Sequence, residues 1–84
     1  MNIQALDGGT PAMSAAVHGQ TDTIRVLLSL GADLNLQDDE GWTALMFAAS
    51  AGHAPTVSAL VAAGANVNIK NADGDTASSI AESK

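Results

Sequence analysis

The sequence contains no cysteine, and this absence removes several kinds of chemistry at once. A chain without thiols forms no disulfide, supplies no thiolate nucleophile and builds no zinc–thiolate site. The absence also fits a reducing compartment. No cationic segment followed by an apolar stretch marks a signal peptide after Met1. We therefore expect an intracellular, cytoplasmic protein.

Basic residues are scarce as well. The chain has three lysines and arginines against nine acidic residues, which gives a formal net charge of −6. Nucleic acids and anionic membranes both select surfaces rich in lysine and arginine, so this charge argues against either as a partner. The longest apolar-leaning run, residues 57–65, is also too short to span a bilayer.

Aromatic residues make up only 2% of the sequence, although 46% of it is hydrophobic. Alanine supplies much of that hydrophobic fraction. Small side chains let helices approach closely, so we expect a thin, closely packed core. A chain of 84 residues buries only a little over ~60% of its unfolded surface. We therefore predict one small domain covering residues 1–84.

What the sequence does contain is an internal repeat. Residues 43–49 (TALMFAA) resemble residues 10–16 (TPAMSAA), and residues 64–68 (GANVN) resemble residues 31–35 (GADLN). The three threonines that open these units, at 10, 43 and 76, are separated by 43 − 10 = 33 and 76 − 43 = 33 residues. A fixed period of this length indicates a stacked-repeat architecture.

Each unit reads as a pair of helices followed by a connector and a turn. A threonine starts the first helix by capping a free backbone N–H, and a glycine closes the second helix in a left-handed conformation. Extended connectors are expected at residues 34–38 and 66–71, and glycine-containing turns follow them. The predicted helices cover residues 10–18, 22–30, 43–51, 55–63 and 76–82.

These motifs resemble the ankyrin repeat, whose pattern is Gly-x-Thr-Pro-Leu-His-x-Ala-Ala, then Gly-His, Leu-Leu and Gly-Ala-Asp-Val-Asn. The resemblance covers essentially the whole chain: a repeat tail at 1–6, repeats at 7–39 and 40–72, and a partial repeat at 73–84. It implies an all-α solenoid of stacked antiparallel helix pairs with projecting β-hairpin-like fingers. It also implies recognition of another protein, without catalysis or a cofactor.

The chain departs from the family pattern at the histidine that follows Thr-Pro-Leu. Met13, Met46 and Ser79 stand at that position. Methionine is flexible and polarizable, so we expect it to fill the space of the histidine by packing. The end units also carry lighter side chains than the central one, which we interpret as partial capping of the stack. The alternative is that they mark an excised or degenerate fragment.

The resemblance also places a partner-binding surface on the concave helix face and the finger edge. Trp42, the only tryptophan, falls at the base of a finger, where it is a candidate binding hot spot. The alternative is a side chain that packs on the neighbouring finger. The candidate partner-binding residues are Leu6, Asp7, Gly9, Val17, His18, Asp39, Glu40, Trp42, Ser50, Ala51, Ala72, Asp73 and Asp75.

Acidic side chains are concentrated in the predicted fingers. A basic partner surface would gain association rate and orientation from such an edge. The alternative is that one aspartate, Asp38, only hydrogen-bonds turn amides while the others keep the surface soluble. Six of the nine acidic residues are involved: Asp7, Asp38, Asp39, Glu40, Asp73 and Asp75.

The sequence gives little support for a metal site or a catalytic site. Residues 71–75 look like part of a calcium loop, but Ile69 and Ile80 would then fall at the first and last ligand positions. In this family, the histidine of a Gly-His pair such as His53 is usually structural. No strained nucleophile elbow or glycine-rich phosphate loop is present. We predict neither a metal site nor an enzyme.

Two functions remain open. The first is a protein-binding module that uses a rigid, preformed surface. The second is a minimal, truncated or designed repeat scaffold, or a structural unit that assembles with itself. Uncapped repeat ends favour weak self-association, because stacking one end on another gives an open, heterologous contact.

Overall fold

A computed structural model describes residues 10–82, which form five α-helices and, within that range, no β-strand. This agrees with the predicted all-α class. The candidate residues Leu6, Asp7 and Gly9 lie outside the described range. The helices are α1 (Pro11–Val17), α2 (Thr21–Ser29), α3 (Ala44–Ala51), α4 (Ala54–Ala62) and α5 (Ala77–Glu82).

Threonine caps start the helices of the inner layer, as the repeat predicts. The Thr10 hydroxyl accepts a hydrogen bond from the Met13 amide at 3.2 Å, and Pro11 takes the first helical position. Thr43 accepts in the same way from the Met46 amide at 3.3 Å. Each cap satisfies an N–H that has no partner within the helix.

Most helix boundaries differ from the predicted ones by one residue. Helix α2 begins at Thr21 instead of Asp22, and α4 begins at Ala54 instead of Pro55. Neither helix has a side-chain cap, because Gln20 and His53 at these positions make no capping hydrogen bond. Without a capping side chain, the sequence carries no sharp signal for the first residue.

The helices form two layers. The inner layer is α1, α3 and α5 side by side, and the outer layer is α2 packed against α4; each outer helix also packs on the inner helix before it. Alanines fill most of the inner contacts, so these helices lie close together. The larger buried side chains include Ile24, Met46 and Leu60, all at most 1% exposed.

Methionine occupies the place of the family histidine by packing, as predicted. Met13 and Met46 are 4% and 1% exposed within the core. Ser79, at the same place in α5, is exposed, and its amide donates to the hydroxyl of Thr76 at 3.3 Å.

The prediction that the connectors are extended throughout was wrong at their first residues. Leu34 and Asn35 form a turn, because the Asp33 carboxylate accepts a hydrogen bond from the Asn35 amide at 2.8 Å. The next connector turns in the same way, where the side-chain oxygen of Asn66 accepts from the Asn68 amide at 2.9 Å. Aspartate and asparagine often fold the backbone locally in this way.

Candidate partner-binding surface

The first finger, residues 38–42, is a hairpin-like turn organised by one aspartate. The Asp38 amide donates to the Trp42 carbonyl at 2.9 Å. The Asp38 carboxylate accepts hydrogen bonds from the amides of Glu40 and Trp42, both at 2.9 Å. Asp38 therefore has the turn-forming role considered from the sequence, and its charge is directed into the finger.

The second finger, residues 71–75, copies this geometry with an amide in place of the carboxylate. The side-chain oxygen of Asn71 accepts from the amides of Asp73 and Asp75 at 2.9 and 3.0 Å. Asn71 is only 6% exposed. Its side-chain nitrogen is buried and has no hydrogen-bond partner among the described residues. Asparagine in place of aspartate therefore keeps the side-chain oxygen that accepts the two amide hydrogen bonds. It adds an N–H donor group that the finger does not use.

Hydrogen bonds tie the two fingers to each other. The Ala72 amide donates to the Glu40 carbonyl at 2.9 Å. The Gln37 side chain donates to the carbonyls of Gly41 and Lys70 at 2.8 and 3.0 Å. Gln37 is absent from the residues predicted to form the surface. Its one sequence signal is its place just before the first finger.

Gly41 sets the spacing between the fingers. Its φ of +79° lies in the left-handed region, which glycine adopts without steric cost. A Cβ at this position would lie 2.9 Å from both the Asn71 Cα and the Ala72 amide nitrogen. The backbones therefore approach too closely for any other residue, and the two fingers form one rigid edge.

The outer side of this edge is acidic. Asp39 and Glu40 are exposed on the first finger, and Asp73 is exposed on the second. Asp75 is half-buried, and Ala72 beside Asp73 is exposed. Both tied fingers therefore carry exposed carboxylates, whereas Asp38 of the predicted acidic set turns its carboxylate into the first finger and Asp7 lies outside the described residues.

Trp42 lies at the base of the first finger in contact with α3. Its ring centroid is 5.1 Å from that of Phe47, and the two rings are tilted by 39°. Both side chains are half-buried against the core. The aromatic packing partner of Trp42 therefore belongs to a helix of the same repeat. Phe47 was not predicted as a surface residue, although it is the only phenylalanine in the chain.

The ends of two inner helices supply the remaining candidates. Val17 and His18 at the end of α1 are exposed, Val17 to 39%. Ser50 is half-buried and Ala51 exposed in the last turn of α3, which packs beside α1. Ser50 follows Phe47 by three residues, and side chains at this spacing share one face of a helix. This face therefore connects the helix ends with the aromatic pair.

His53 has a structural role. Its Nε2 donates to the Val17 carbonyl at 3.0 Å, since a carbonyl oxygen only accepts. The ring covers Gly19, where a Cβ would lie 2.8 Å from the imidazole Cγ. His53 thus joins the start of α4 to the end of α1, in line with the role that the ankyrin resemblance implied.

Within residues 10–82, no group of three or more histidine, aspartate or glutamate side chains is placed to hold a metal ion. Over the same range, no helix has the length and apolar character needed to cross a membrane.

The repeat period, the paired helix layers and the glycine-dependent fingers recur together in both units. A family model for ankyrin repeats, in three copies, matches residues 1–81. The chain belongs to the ankyrin-repeat family. Ankyrin repeats are generally protein–protein interaction modules and are generally non-catalytic. A search of curated proteins finds no match to this ankyrin-repeat chain.

Proposed function

We propose that this chain binds a partner protein through the edge formed by its two fingers and the adjoining ends of the inner helices. The observation that carries the proposal is the bond between the Ala72 amide and the Glu40 carbonyl at 2.9 Å. It joins the fingers into one preformed surface. A preformed surface loses little conformational entropy on binding, so more of its contact energy contributes to affinity.

Trp42 is the proposed anchor of this surface. Its half-buried ring rests on Phe47, which orients it while leaving part of it accessible. Large aromatic side chains in such positions often contribute most of the binding energy of an interface. Ser50 and the neighbouring Ala51 extend the surface along α3.

The proposed partner presents a basic surface. The exposed carboxylates of Asp39, Glu40 and Asp73 lie on fingers whose backbone positions are fixed. Charges held in place attract a complementary partner over several ångströms and orient its approach. The net charge of −6 adds to this attraction at long range. Binding of such a partner weakens with added salt, because the Debye length falls.

The first test is affinity capture of proteins from a cell lysate with the full chain, compared with two charge-matched variants. One variant carries Asp39→Asn and Glu40→Gln on the first finger. The control carries Asp22→Asn and Asp33→Asn on and after the outer helix α2, so that both variants lose two negative charges. Circular dichroism melts check that both variants remain folded.

We expect specific prey with the wild type and the control, and little or none with the finger variant. The association rate of the captured protein should fall as salt is raised. Equal capture by all three chains would place the binding surface elsewhere. Loss of capture by both variants would indicate that net charge alone, and no defined edge, attracts the prey.

A further inference from the structure

An apolar groove lies between α4 and α5, on a different part of the molecule from the finger edge. Val57 and Val61 of α4, Val67 of the following connector, and Ala77 and Ala81 of α5 contribute to its walls. Val61 and Val67 remain 47% and 42% exposed. Covering such side chains is favourable, since it removes apolar surface from water.

The same chain contains a covered copy of this groove one repeat earlier. Subtracting 33 from Val57 and Val67 gives Ile24 and Leu34, which are 0% and 8% exposed. The helix that covers the copy is α4, which packs on α2 and α3. The exposed groove is therefore built like a binding site for one further outer helix.

The face of α4 that packs on α2 and α3 indicates which side chains a helix bound in the groove would have. Thr56 and Leu60, four residues apart on one face, are 1% and 0% exposed, and Ala59 beside them is half-buried. We propose that the groove binds a single amphipathic α-helix from a partner protein. The bound helix has about nine residues, the length of α4, with a small or β-branched side chain and a leucine four positions later.

The structure favours a lone helix over a second copy of the chain. Each outer helix follows an inner helix after only two or three residues: residues 18–20 separate α1 from α2, and residues 52–53 separate α3 from α4. An outer helix of a second copy would therefore bring its inner helix into the place that α5 occupies. Ala77 and Ile80 anchor α5 there at 8% and 7% exposure.

Charge favours a basic helix. Among the described residues, no aspartate, glutamate, lysine or arginine lines the groove, so the groove favours apolar contacts. Glu82 is exposed directly after Ala81 at the groove's edge, and the whole chain carries −6. Lysine and arginine on the outer face of the bound helix would be attracted to this field.

The test uses a hydrocarbon-stapled helical peptide that copies residues 54–62, with lysine at its outward positions. The peptide is titrated into the ¹⁵N-labelled full chain and followed by NMR. We expect saturable shifts in the amides of α4 and α5, with the indole signal of Trp42 unchanged. A peptide with aspartate in place of its leucine should not bind.

Two variants of the chain provide the matched comparison. Val61→Lys places a charge in the groove and should raise the Kd at least about tenfold. Val26→Lys makes the same change at a side chain that is 57% exposed on α2, outside the groove, and should leave the Kd unchanged. Both positions are exposed, so neither substitution is expected to unfold the chain.

Three results would overturn the proposal. These are shifts centred on the fingers, equal weakening by both lysine variants, and the absence of saturable binding. Concentration-dependent dimers of the chain alone, lost with Val61→Lys, would instead assign the groove to a second copy. Shifts centred on the fingers would count in favour of the finger proposal. The other outcomes leave it unaffected, because it depends on Asp39 and Glu40.

Discussion

The side chain of Gln37 donates a hydrogen bond to the carbonyl of Lys70, its own equivalent one repeat later. The 3.0 Å bond spans 33 residues of sequence, and a second bond at 2.8 Å reaches the Gly41 carbonyl. One exposed side chain therefore links the bases of both fingers. The contribution of these two hydrogen bonds to stability and to binding can be measured directly.

Replacing Gln37 by alanine should lower the free energy of unfolding by about 1 kcal/mol, because two solvent-accessible hydrogen bonds are lost. Gln20→Ala is the control, since Gln20 is exposed and makes no side-chain capping bond. Urea unfolding followed by circular dichroism measures both. Equal stability of the two variants would mean that the bridge between the fingers contributes nothing in solution.

Substitution of Gly41 by alanine should be more damaging than the same change at Gly74. Both glycines have similar positive φ angles, +79° and +81°. Only at Gly41 would the new Cβ meet neighbouring backbone, at 2.9 Å, whereas nothing lies within 4 Å at Gly74.

We expect Gly74→Ala to cost about 1 kcal/mol from the backbone conformation alone, and Gly41→Ala at least about 1 kcal/mol more. Thermal or urea unfolding of both variants measures the difference. A difference near zero would show that the fingers can separate without cost, and would remove the basis for a rigid finger edge.

The hydroxyls of Thr21 and Thr56 form a hydrogen bond of 2.7 Å between the outer helices. Thr56→Val alone should destabilise the chain by about 1 kcal/mol, because it leaves the Thr21 hydroxyl without this partner. Thr21→Val with Thr56→Val should restore much of that loss, since both partners are then apolar. A double-mutant cycle in urea measures the coupling, and strictly additive effects would exclude it.

Trp42 contributes to stability as well as to the proposed interface. Trp42→Ala should lower the free energy of unfolding by about 2 kcal/mol, because it removes a half-buried ring from Phe47. Trp42→Phe keeps an aromatic pair and should cost less than half as much. If both variants stay as stable as the wild type, the ring contact does not persist in solution.

The loss of stability expected for Trp42→Ala also affects how binding must be tested. Loss of binding with Trp42→Ala would combine a lost contact with a loosened finger. Neutralising Asp39 and Glu40, whose side chains are exposed, separates recognition from folding. Trp42→Phe then measures the anchor while preserving its packing on Phe47.

The sequence alone was sufficient for the repeat and for the helices within each unit, whereas the stacking of the helix pairs was implied by the ankyrin resemblance. The period of 33 residues, the capping threonines and the closing glycines are local signals, and each acts within a few residues of where it stands. Thr10 and Thr43 therefore start their helices where predicted. Helix α2 and helix α4, which have no capping side chain, were misplaced by one residue.

Contacts between repeats were decided only by the tertiary structure. The bridge from Gln37 to Lys70 and the close approach at Gly41 depend on how the two fingers sit against each other. The packing of Trp42 on Phe47 depends on how the first finger sits against α3. Side chains of the same type at equivalent positions also differ in exposure: Leu34 is buried and Val67 exposed, because a helix covers only the first. A periodic sequence specifies the fold of each repeat. The stacking of repeats determines which faces stay exposed to solvent, because a side chain is buried only where a neighbouring repeat covers it.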